Sequence, residues 1–72
     1  MQAIIERLAD FIKREKLMGV VDIKAVKIED EDGHLDEVQV LWHRQVIASE
    51  RVSLGEGRVA VSDLVEAGYG HG

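Results

Sequence analysis

No cysteine and no proline occur in these 72 residues, and tryptophan, tyrosine and phenylalanine appear once each. Without cysteine there is no disulfide framework and no thiolate metal site. The lack of proline carries no message in so short a chain. No apolar run reaches the length of a signal-peptide core or a membrane span, because Glu6, Arg7 and Asp10 interrupt the first one. Basic charge is also scarce, with 9 Lys and Arg against 14 Asp and Glu and a net charge of −5. Phosphate contacts supply most nucleic-acid affinity, so a duplex or an anionic membrane is repelled overall. These absences set the expectation of a cytoplasmic protein without nucleic-acid or membrane partners. A basic protein surface suits it better, because opposite charge speeds encounter.

What is present is the composition of a folded chain, 46% hydrophobic and 32% charged, too apolar for disorder. Residues 1–72 make a single domain. A core of this size supplies roughly 3–5 kcal/mol of net stability, and small domains commonly add a staple. With disulfides excluded, self-association is the staple that remains.

Residues 2–18 read as an amphipathic helix. Ile4, Ile5, Leu8, Phe11, Ile12 and Leu17 or Met18 recur at three- and four-residue steps. Glu6 near the start and Lys13, Arg14 and Lys16 near the end suit the helix dipole. Gly19 is the expected left-handed terminator. Residues 20–29 alternate as a strand whose phase slips after Ala25, which predicts a bulge or bend there. The Asp32-Gly33 pair marks a hairpin turn. A second strand follows over 35–43, with Val38, Val40 and Trp42 on the core face, and a third over 46–54. Gly55-Glu56-Gly57 reads as a tight turn into a short fourth strand at 58–61, closing an antiparallel sheet over 20–61. Ser62 is placed to cap a short final helix ended by Gly68, with continuation of the strand as the competing reading. The Gly-rich residues 69–72 read as a frayed tail.

The chemistry-bearing groups are sparse. Glu29, Asp30, Glu31, Asp32, Asp36 and Glu37 crowd around one hairpin. A calcium loop wants oxygen ligands at its ends as well as its middle. Here those end positions fall on Ile28 and Gln39. The cluster therefore reads as a solvated turn that keeps the sheet edge from aggregating, or as a surface offered to a basic partner. His34, His43 and His71 sit on a turn, a strand end and the tail, without the close-spaced pair that a zinc site uses. Ser49, Ser53 and Ser62 have no nucleophile elbow around them. Glu50 shares the parity of Ala48 and Val52 and is an inward charge on a sheet edge or a group at an interface. The helix–strand–strand–strand–helix order is also that of double-stranded-RNA-binding domains. The likeness stops at element order, because Asp63 and Glu66 stand where that fold needs lysines on phosphate.

The fold class expected is α+β, an N-terminal amphipathic helix packed on a three- to four-stranded antiparallel meander, with a possible short C-terminal helix. One helix leaves part of the sheet bare, including Val20, and Leu41, His43, Arg44 and Ile47 form the candidate self-association patch of a homodimer. The function expected is a non-catalytic protein-interaction or scaffold module that presents its acidic hairpin to a basic partner and needs no cofactor. The alternative is a small regulator or inhibitor, such as a phage might encode, that binds a basic nucleic-acid-binding protein by charge mimicry. It would need Glu56 and Asp63 to cluster with the hairpin carboxylates. A metal-dependent activity around the 30–36 turn, through His34 and Asp36, is the weakest alternative.

Overall fold

A computed structural model describes residues 1–72. The apolar stripe of the first segment becomes helix α1, Gln2–Arg14, which buries Leu8, Ala9 and Ile12. It is shorter than the expected 2–18, and Lys16 rather than Gly19 ends it. Lys16 takes a left-handed φ of 58°. Its N–H donates to the Lys13 carbonyl at 3.1 Å, and the Leu17 N–H donates to the Ile12 carbonyl at 3.0 Å. This double closure satisfies carbonyls that a helix end otherwise leaves open. It also folds Leu17 back against the core.

Strands β1 (Val21–Asp30), β2 (Gly33–Trp42) and β3 (Gln45–Ser53) form the expected antiparallel meander. The bulge expected at Ala25 is not there. The β1–β2 register runs unbroken from Asp22 opposite Leu41 to Asp30 opposite Gly33. Val26 and Ile28 keep strict alternation and so turn away from the face of Val21 and Ile23. The irregularity lies one strand over. Val40 pairs with Ala48 and Leu41 with Val46, which leaves Ile47 as the extra residue.

Residues 58–61 are not a strand. They belong to helix α2, Glu56–Glu66, with Gly57, Ala60 and Leu64 buried at three- and four-residue spacing. Ser62 is an exposed mid-helix residue and caps nothing. Gly68, with φ 87°, ends the helix as expected. Its N–H donates to Val65 and that of Tyr69 to Leu64, each at 3.0 Å.

The segment expected to fray is held. Gly70–His71 forms β4, which pairs parallel with Val21 and Asp22 of β1. The sheet is therefore mixed, in the order β3-β2-β1-β4. A Cβ at Gly70 would lie 2.6 Å from the Val21 carbonyl oxygen, so the close approach needs glycine. The Gly19 N–H donates to the Tyr69 carbonyl at 3.0 Å, and His71 Nε2 lies 2.9 Å from the Gly19 carbonyl. Lys13 Nζ stands 5.5 Å from the Tyr69 ring centroid, within reach of a cation–π attraction. Hydrogen-bonding and charge attraction to Tyr69 raise the lysine's pKa. The ends of both helices are thus joined at one corner.

Both helices lie on one face of the sheet. Ile12, Val21, Ile23, Val38, Val40 and Leu64 fill the space between them. Trp42 shares the parity of Val38 and Val40 yet is 41% exposed. It stands at the end of β2 beyond the helices, edge-on to the His43 ring with centroids 4.5 Å apart.

Two substitutions test these packing statements. A Cβ on Gly57 would fall 2.8 Å from Asp36 Cβ and 2.9 Å from Ala25 Cβ. Alanine is the better helix former by about 1 kcal/mol, but overpacking costs about 1–3 kcal/mol. Gly57→Ala should therefore lower the urea midpoint. In the turn between β2 and β3, His43 and Arg44 have φ of 51° and 66°, the geometry that Asn-Gly fits best. Replacing both (His43→Asn with Arg44→Gly) should raise stability by about 1 kcal/mol in the same assay.

Candidate interaction site

The acidic hairpin divides into three groups. Glu29, Asp30, Glu31 and Asp32 are exposed around the tip. The Asp32 N–H donates to Asp30 Oδ1 at 2.9 Å, which holds the turn. His34 Nδ1 lies 3.5 Å from Glu29 Oε1, with both side chains largely in water, where such a pair contributes little.

Glu37 is set apart on the sheet face away from the helices. It accepts a hydrogen bond from Gln39 Nε2 at 2.7 Å and lies 3.8 Å from Arg51 Nε.

Asp36 is not at the surface at all. It is 4% exposed and points to the helix side. Its Oδ2 accepts the N–H of Gly55 at 2.7 Å and that of Gly57 at 3.0 Å. Those are donors at the start of α2 that no helical carbonyl can satisfy. The carboxylate caps the helix from a neighbouring strand and complements the positive end of its dipole. Gly55, at φ 91°, and Gly57 allow the backbone to come that close. Of the six sequence candidates, then, four form one accessible cluster.

The self-association candidates are not brought together either. Leu41 is half-buried on the helix-free face of the sheet, whereas the bulge turns Ile47 onto the core. His43 and Arg44 are exposed in the turn. The apolar residues that do share the helix-free face are Val26, Ile28, Leu35, Leu41 and Val46. Ile28 stands opposite Leu35, and Leu41 opposite Val46. In the sequence the phase of Val26 and Ile28 resembles a bulge, which hides their place on this face. Val20, also expected to be bare, is 58% exposed.

Glu50 is an inward charge on the edge strand β3, joined to α1 by Arg7. Arg7 Nη2 lies 3.0 Å from Oε1 and Nε 3.3 Å from Oε2. Hydrogen bonding to Glu50 and its charge raise the Arg7 pKa. The hollow beside this pair, about 350 Å³, includes Asp10, Phe11, Arg14 and Ser49.

His34 and His43 stand at opposite ends of β2. No group of three or more His, Asp or Glu side chains is gathered so as to hold a metal ion. Glu56, in the first turn of α2, lies at the hairpin end of the sheet. Asp63 is roughly 10 Å further along that helix. No helix is long and apolar enough to cross a membrane.

No protein-family model matches the chain, and no curated protein or solved structure gives a significant match.

Removing the buried carboxylate tests its role. Asp36→Ala leaves the Gly55 and Gly57 donors without a partner and should cost about 1–3 kcal/mol. The loss should appear as a lower thermal midpoint together with faster amide exchange in the first turn of α2. Unchanged exchange there would show that the cap is idle.

Proposed function

We propose that this chain is a small, non-catalytic protein-interaction module. In this reading it pairs with a second copy through the open face of its sheet and offers its acidic turn to a basic partner. The observation that carries the reading is the uncovered face, where the half-buried Val26, Ile28, Leu35 and Leu41 and the exposed Val46 form an apolar band. Apolar surface of this kind gains about 25 cal/mol per Å² when removed from water. The charged groups on the same face come in both signs, Asp22 and Glu37 with Lys24 and Arg51, and so permit contact with an identical surface. The tip residues Glu29, Asp30, Glu31 and Asp32 project from one end of that face and would remain free in the pair.

Size-exclusion chromatography with light scattering separates the outcomes. The chain should run as a dimer at high micromolar concentration. Leu35→Lys combined with Leu41→Lys should run as a monomer with an unchanged circular dichroism spectrum. A monomeric parent chain would remove the self-association half of the reading. Binding of a lysine-rich peptide, measured by calorimetry, should weaken with salt. It should also weaken at least about tenfold when Asp30, Glu31 and Asp32 become Asn, Gln and Asn.

A further inference from the structure

The opposite edge of the sheet carries a different surface. β4 covers β1 only at Val21 and Asp22, so from Ile23 onward the outer side of β1 has no strand beside it. Helix α2 runs above this edge. Between them lie two adjoining hollows of about 370 and 280 Å³, which share Ala25 and Arg58. The first has an apolar floor of Ile23, Val61 and Val65.

In a chain of net charge −5 this groove is bordered by cations. Lys24 and Lys27 flank it on β1 and Arg58 on α2, all exposed. The ion pairs of the molecule are Arg7–Glu50, His34–Glu29 and Arg51–Glu37, so none of these three is neutralised. Asp36 borders the second hollow, but its Oδ2 is engaged by α2.

We propose that this groove binds an extended acidic peptide, which adds to β1 as a further strand along Ile23–Ile28. An open strand edge supplies a ladder of backbone donors and acceptors, the basis of recognition by strand addition. Lysines on an edge discourage neutral and basic strands from pairing with it. The same lysines, with Arg58, attract a strand whose side chains are carboxylates. The exposed Glu29 and Asp30 close the far end of the site by repulsion. A second copy is the poorer occupant, because pairing two β1 edges about a two-fold axis lines up the Lys24, Lys27 and Arg58 of both copies along one seam. The groove lies along the β1 edge and the helix side of the sheet, apart from the acidic tip, and it shares with the open face only Lys24 and Val26 at its rim.

The probe is a fluorescent peptide of about eight residues alternating valine and glutamate, titrated against the full chain by anisotropy. It should bind saturably, with amide shift changes confined to residues 23–28, to α2 and to Gly72, which line the two hollows. A valine–lysine peptide should not bind. Lys24→Glu with Lys27→Glu should weaken binding at least about tenfold, as should Arg58→Glu alone. Retained amide dispersion in each variant shows that it folds. Methylating alternate backbone nitrogens of the glutamate peptide should abolish binding, since strand addition needs those donors. The proposal is overturned if the methylated peptide binds as well as its parent, if both charge types bind alike, or if the shifts map elsewhere. It is also overturned if the parent chain proves to be dimeric through this edge, with Lys24→Glu strengthening the dimer.

Discussion

A single carboxylate holds the two layers in register. Asp36 lies on the middle strand, with Val38 and Val40 after it on the same face, and it is the group on which the first turn of α2 closes. A buried charge is costly to leave alone. Here two backbone donors and the positive end of a helix surround it, and no buried polar side-chain atom lacks a partner. The interaction fixes where α2 begins, and the floor of packed side chains follows from that start. Ala60 falls one turn beyond Gly57 and Leu64 one turn beyond Ala60, each over the sheet. With a core of ten buried apolar residues, a helix displaced by one residue would lose most of its packing, so the cap acts as an alignment device as well as a source of stability.

The second constraint is the corner where the helix ends meet. Leu17 and Tyr69 occupy equivalent positions just past their helices, each folded back by the same pair of backbone bonds. One motif uses Lys16 at the left-handed position and the other Gly68. A lysine there is strained where a glycine is not. The packing of Leu17 against the core offsets that cost.

Much of this was legible in the sequence, and the failures share a cause. The first helix, the three meander strands, the acidic turn and the glycine stop at Gly68 are all dictated by local pattern. The start of α2 is not, because its capping group lies 19 residues earlier in the chain, where Asp36 looks like one more surface acid. Without a local cap, Gly55-Glu56-Gly57 resembles a turn, and the β-branched residues after it resemble a strand. Trp42 shows another limit. Its parity matches that of Val38 and Val40, but parity does not say how far along a strand the covering helices reach. Val26 and Ile28 are ambiguous in the sequence for a related reason. An apolar pair out of phase can mean a bulge or a sheet with something on both faces, and only the pairing register decides. Four of the six acidic candidates stand exposed at the tip, while Asp36 and Glu37 are taken up by internal bonds that a one-dimensional pattern does not reveal.

The two-residue clasp of β4 has a kinetic side. The hairpins of the meander join neighbours in sequence and can form early, but Gly70 reaches Val21 only after the rest of the chain has come together. By loop-closure entropy the final strand is expected to dock late. Its release would cost few backbone bonds and leave the main hydrophobic layer in place, a partial opening of the kind that folded proteins visit often. Each such excursion would lengthen the unpaired border of β1 by the span of Val21 and Asp22, so the molecule in water would alternate between a shorter and a longer exposed edge.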